Sequence, residues 1–127
     1  MFKNVETFKA LLESESVQNI LILPHNMPDG DTLGSAIGMY HLLTHYNKKG
    51  YIVLNDDIPS NLLFLFDNEV RCHTTSEVET IEFDLSIAVD CGETKLFEDR
   101  LHLFNRAKHQ VNIDHHKTNT NYAQIGR

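Results

Sequence analysis

Hydrophobic residues in the first 16 positions fall at Val5, Phe8, Leu11 and Leu12, the spacing of one face of an α-helix. This predicts an opening amphipathic helix. The run from Asn19 to Leu23 is short, rich in branched side chains and followed by Pro24, so it reads as a strand buried on both faces. A polar, turn-rich stretch from His25 to Asp31 comes next, and then Leu33, Ile37, Tyr40 and Leu43 recur at helical spacing within residues 32–46. The pattern then returns. Residues 51–54 predict a strand, and the apolar stretch after Pro59 and Ser60, through Phe66, predicts a short helix. Residues 85–89 predict the next strand, 94–107 a helix and 110–113 a last strand. Alternating strands and helices predict an α/β fold, an open and mainly parallel sheet with helices on both faces. No repeat or low-complexity linker divides the 127 residues, a length that fits one domain.

The acids and histidines fall just after these strands. Asp29 and Asp31 follow the first, Asp90 follows Val89, and Asp114, His115 and His116 follow Ile113. In an open parallel sheet the loops after the carboxyl ends share one edge, which is the edge that carries ligand sites. Carboxylates crowded together repel and need protons or cations, and the imidazoles among them point to a divalent metal. His25 stands four residues before Asp29, and Pro28 and Gly30 bend the loop so that Asp29 and Asp31 flank a glycine. Mixed imidazole and carboxylate ligands suit manganese, zinc, iron or cobalt better than magnesium or calcium. Two such ions about 3.5–4 Å apart, bridged by one carboxylate, activate a water and clamp a phosphoryl group.

Charge sharpens the picture. Eleven Lys and Arg against 18 Asp and Glu leave a net charge of −7, the wrong sign for a nonspecific binder of duplex DNA. Bound cations would reconcile an acidic chain with an anionic substrate. Cys72 and Cys91 do not make a disulfide framework, and no apolar run approaches the roughly 20 residues that span a bilayer. The opening residues lack a signal peptide's apolar stretch, so a cytoplasmic protein without a membrane partner is expected. Other notable residues read as structural. Asp31 before Thr32 is a candidate helix cap, Gly34 and Gly38 offer close helix packing, and Lys48 and Lys49 read as a charge pair at a helix end. Cys91 reads as packing, Phe64 and Phe66 as core or interface, and His41, His45, His73, His102 and His109 as surface or packing residues.

His25-x-x-x-Asp29-x-Asp31, Asp90 within Val-Asp-Cys-Gly-Glu, and Asp114-His115-His116 together resemble the motifs of the DHH phosphoesterases, in order and in spacing. The wording from Pro28 to Ser35 is most similar to the nanoRNase/pAp phosphatase branch, the bifunctional oligoribonucleases. RecJ-type exonucleases usually lack the leading histidine. The resemblance implies that His25, Asp29 and Asp90 bind one metal and Asp31, Asp90 and His115 a second, with Asp90 bridging two manganese ions. His116 would then lie near the substrate phosphate and Asp114 would orient a neighbouring histidine. The implied activity is hydrolysis of short oligonucleotides or of 3′-phosphoadenosine 5′-phosphate. A cyclic-dinucleotide phosphodiesterase, an inorganic pyrophosphatase and a non-catalytic metal-binding interaction fragment are the alternatives. Residues 1–127 are expected to be the N-terminal part of a DHH domain without the family's C-terminal substrate-binding domain. On that reading the chain is weakly active or inactive alone, and its uncovered apolar sheet surface favours a homo-oligomer.

Overall fold

The structure, a computed structural model, describes residues 2–67, 69–89, 91 and 94–113, and for residues 2–5 the backbone alone. Helix α1 (Phe2–Glu13) leads into β1 (Asn19–Leu23), α2 (Gly30–His45) and β2 (Lys49–Val53). A 3-10 helix (Ser60–Leu65), β3 (Cys72–His73), α3 (Thr75–Val78) and β4 (Leu85–Val89) follow, and then a second 3-10 segment (Thr94–Arg100), α4 (Leu101–Arg106) and β5 (His109–Ile113). The strands form one sheet in the order β3-β2-β1-β4-β5, and every neighbouring pair is parallel.

Alternation along β1 explains why the sheet is covered twice. Ile20 and Ile22 point into a core shared with Leu12 of α1 and with Ala36 and Leu43 of α2. Leu21 and Leu23 enter the opposite core with Val78, Phe97, Leu103 and Phe104. All four β1 side chains are 0% exposed, and each such burial stabilises by roughly 1.5–3 kcal/mol. The expected open parallel α/β fold is the one observed. Because all strands run the same way, the ends of β1, β4 and β5 lie abreast, with Leu23 paired to Ala88 and Val89 to Ile113. The other edge is tied by Asp84, whose Oδ2 accepts the N–H groups of Gln18 and Asn19 at 2.9 and 3.0 Å.

Several local expectations are corrected. Lys48 and Lys49 do not form a solvated pair at the end of α2. Asn47 takes a left-handed backbone (φ 61), the N–H groups of Asn47 and Lys48 return to the carbonyls of Thr44 and Leu43 at 2.9 Å each, and Lys49 starts β2. This is a Schellman closure. It swings Lys48 inward, to 9% exposure, where Nζ donates to the Ser14 carbonyl at 2.7 Å. The close helix-to-sheet contact is made at Gly50, where a Cβ would stand 3.2 Å from both Ile22 Cδ1 and Leu43 Cδ1, and not at Gly34 or Gly38, where a Cβ would meet nothing within 4 Å. The helix expected over residues 94–107 is broken. Phe97 (φ −143, ψ 36) interrupts it because its ring turns into the core, 5.1 Å from that of Phe104. Phe66 packs against the core of α1 and α2, whereas Phe64 is 79% exposed. Among the described residues no helix is long and apolar enough to cross a membrane.

Candidate metal centre

Strand β1 delivers its chain to the carboxyl edge at Leu23, and a short loop then enters α2. His25 is half-buried there, with Nδ1 2.7 Å from the Asn26 carbonyl oxygen. A carbonyl can only accept, so Nδ1 carries the proton and the lone pair resides on Nε2. This is the tautomer that a metal-binding histidine adopts when a carbonyl holds its other nitrogen. Asp29 has extended backbone (φ −100, ψ −177), and its side chain accepts from the Thr32 N–H at 2.9 Å through Oδ1. Asp29, not Asp31, therefore caps α2. Only an extended residue can turn its side chain back over the first helical turn, and Asp31 is already inside that turn. Both aspartates are exposed, so their carboxylate oxygens are open to a cation from solvent. Beside them the 3-10 helix closes in, with Leu62 Cδ2 3.7 Å from where a Gly30 Cβ would be.

The loop is fastened from beneath. Asn26 N–H donates to the Leu96 carbonyl at 2.6 Å, and Met27, held with a left-handed φ of 49, donates its N–H to Asp56 Oδ2 at 2.7 Å. Arg100 is 0% exposed. Its Nη1 donates to the carbonyls of Pro24 and Val53, both at 2.7 Å, and its Nη2 donates to Asn26 Oδ1 at 2.8 Å and Leu96 O at 3.4 Å. Nε reaches Asp99 Oδ1 at 3.2 Å. Burial pushes the Asp99 carboxyl up, but the bond from Asn55 and the Arg100 charge outweigh it, and the group lies below the usual carboxylate range. The sequence reading missed Arg100, Asn26 and Asp56. A signal was present for the first: Leu96, Arg100 and Leu103 follow the spacing of one helix face, so a charge sits where an apolar residue belongs.

Among the residues expected in the site, His25 and Asp29 lie on this loop and Asp31 in the first turn of α2. Asp90, Asp114, His115 and His116 lie outside the described residues. The two strands that precede them end side by side, at Val89 and Ile113. Among the described residues no group of three or more His, Cys, Asp or Glu side chains is placed to hold a metal ion. Cys91 is buried and packs, its Sγ 3.3 Å from the Val89 carbonyl, as expected.

These features define an open parallel α/β domain whose carboxyl edge presents an imidazole and two carboxylates. The chain belongs to the DHH family: residues 19–125 match the DHH family, N-terminal domain. It is 31% identical over 110 residues to the cyclic-di-AMP phosphodiesterase GdpP of Bacillus subtilis (strain 168), a match covering 78% of this chain and 16% of that protein. The protein of the same name from Geobacillus thermodenitrificans (strain NG80-2) is 33% identical over 116 residues, covering 83% of this chain and 17% of the relative. The chain thus spans about a sixth of the length of these curated relatives. In fold it is similar to an exopolyphosphatase-related protein from Bacteroides fragilis, with a TM-score of 0.86 at 20% identity over 100% of this chain and 38% of that one.

Proposed function

We propose that this chain is the cation-binding part of a phosphoesterase that cleaves the phosphodiester of a dinucleotide with water as nucleophile. The observation that carries the reading is His25: its Nδ1–H is committed to the Asn26 carbonyl, leaving the Nε2 lone pair available on the same carboxyl-edge loop that leads to the exposed Asp29 and Asp31. In this reading His25, Asp29 and Asp90 hold one divalent ion, and Asp31, Asp90 and His115 the other. Manganese, zinc, iron and cobalt all suit that donor set, and manganese is the ion proposed. Such ions, when bound, lower the pKa of an attacking water and offset charge on the phosphoryl oxygens. His116 donates a hydrogen bond to a phosphoryl oxygen as charge develops there, and Asp114 orients a neighbouring imidazole. The curated relatives are named cyclic-di-AMP phosphodiesterases, and the wording around Asp29 resembles the oligoribonuclease branch. Both classes act on a phosphodiester between nucleosides, which is why a dinucleotide is the substrate proposed. The net charge of −7 argues against duplex DNA.

The test is an assay with manganese against cyclic-di-AMP, a linear diadenylate, 3′-phosphoadenosine 5′-phosphate and pyrophosphate, with products resolved by chromatography. Cleavage of a dinucleotide that is lost in EDTA and in Asp90→Ala is the expected result. Hydrolysis of pyrophosphate alone would reject the dinucleotide, and turnover that persists in EDTA would reject the metal site.

A further inference from the structure

A fully buried arginine is an uncommon residue, because a guanidinium removed from water must find partners for its donors. Arg100 is 0% exposed and its partners are not scattered. They are the carbonyl of Pro24, just after β1, the last carbonyl of β2 (Val53), the side chain of Asn26 and the carbonyl of Leu96. The nearest carboxylate, Asp99, is itself held by Asn55 Nδ2 at 2.8 Å, and Asn55 Oδ1 accepts from the Thr75 N–H at 3.0 Å. A single planar fork thus joins the loop after β1, the end of β2 and the segment Thr94–Arg100 that follows β4. Lysine has one nitrogen and cannot span these acceptors in two directions.

We propose that Arg100 is a positioning residue of the carboxyl-edge site, one that sets the tautomer of His25 through Asn26. The chain of contacts is short. Arg100 Nη2 fixes the Asn26 side chain at 2.8 Å, the Leu96 carbonyl fixes its N–H at 2.6 Å, and its own carbonyl takes the His25 Nδ1 proton at 2.7 Å. With Asn26 clamped at both ends, its carbonyl cannot swing away from the imidazole, and Nε2 keeps the lone pair. The importance of this for cation binding rests on the function proposed above, whereas its effect on the imidazole does not.

Two variants test it. Arg100→Lys keeps the charge and loses the fork, and Asn26→Ala removes the acceptor of Nη2 while leaving the bonds to Pro24 and Val53, so it reports even if the buried substitution does not fold. The first readout is the His25 tautomer in metal-free protein at pH 8, from long-range proton–nitrogen spectra. The second is manganese affinity, from the free-ion signal in electron paramagnetic resonance. Wild type should show one tautomer, protonated at Nδ1. The folded variants should show a mixture of tautomers and an affinity lowered at least about tenfold, the size of effect seen when a ligand loses its orienting partner. A single Nδ1–H tautomer in both variants would overturn the proposal. If wild type fails to bind manganese, the metal site falls, and the tautomer alone then decides the role of Arg100.

Discussion

Asp29 caps α2 and is proposed as a cation ligand, and a pair of substitutions separates the two roles. As N-cap its Oδ1 accepts the Thr32 N–H at 2.9 Å, and as an exposed carboxylate it is an expected cation ligand. Asparagine keeps the capping oxygen and loses the charge; alanine loses both. Removing an Asp cap in favour of Ala costs about 1 kcal/mol, and losing a negative charge at a helix N-terminus costs a further 0.3–1 kcal/mol or so. In EDTA, therefore, Asp29→Ala should lose about 1.3–2 kcal/mol and Asp29→Asn only about 0.3–1 kcal/mol. At about 3–5 °C per kcal/mol for a chain of this size, the alanine variant should melt roughly 4–10 °C below wild type and the asparagine variant within about 5 °C of it. With manganese at 100 times its dissociation constant, wild type gains about 2.7 kcal/mol, a rise of roughly 8–13 °C. Both variants should lose most of that rise. The assay is a melting curve by circular dichroism in EDTA and in millimolar manganese. Should Asp29→Asn keep the full manganese increment, Asp29 is a cap and no ligand. Equal melting of the two variants in EDTA would show that the cap does not hold α2.

Two further outcomes follow from the packing and from the shifted groups. Gly50→Val should destabilise by about 1–3 kcal/mol, the usual cost of overpacking, since a Cβ there already stands 3.2 Å from Ile22 and Leu43. Gly34→Ala, with nothing within 4 Å of the new methyl, should stabilise by about 0.4–1 kcal/mol, and denaturant midpoints that rank the two the other way would contradict the packing. Burial, with help from the Arg71 charge, holds the His73 imidazole below its ordinary value, so the unfolded chain takes up its proton first. Its contribution is complete above about pH 6.5 and is lost as pH falls from there through the folded value. His73→Asn should flatten the slope of stability between pH 7.5 and 5.5, and an unchanged slope would place the effect elsewhere.

Much of the architecture was legible because β1 and β4 are short apolar runs, and a run buried on both faces belongs in a parallel sheet. The candidate ligands drew notice by their place, Asp29 and Asp31 one loop after β1, and Asp90 and Asp114 immediately after residues 85–89 and 110–113. What escaped depends on tertiary contacts. Strand β3 is two residues long and α3 four, below any window in which periodicity is measurable. The break at Phe97 is invisible to spacing, because its ring competes for the same core as Phe104 and the helix yields to it. The choice of Asp29 over Asp31 as cap turns on one backbone angle. Arg100 was not singled out, although its place on an apolar stripe was the clue. Lys48 was misassigned because the left-handed Asn47 turns the chain one residue before the charges, and that closure has no hydrophobic signature.

The fastening of the loop bears on what a cation would have to do there. Exposed carboxylates repel only weakly through water, by about 1 kcal/mol even where two charges come as near as about 4 Å, and less once salt screens them. Against that stand the contacts of Pro24 and Asn26 with Arg100, of Met27 with Asp56 and of Asp29 with Thr32, each contributing about 0.5–1.5 kcal/mol net and more where the guanidinium takes part. The balance keeps the loop folded without metal. On the function proposed above, a cation would meet His25 and Asp29 on a loop already fastened, and little of its binding energy would go into ordering the chain. Changes at Asn26 should then lower affinity as well as the melting point, whereas changes at Gly50 should lower the melting point and scarcely move affinity. Were the loop ordered by the metal instead, every variant that weakened one would weaken the other in proportion.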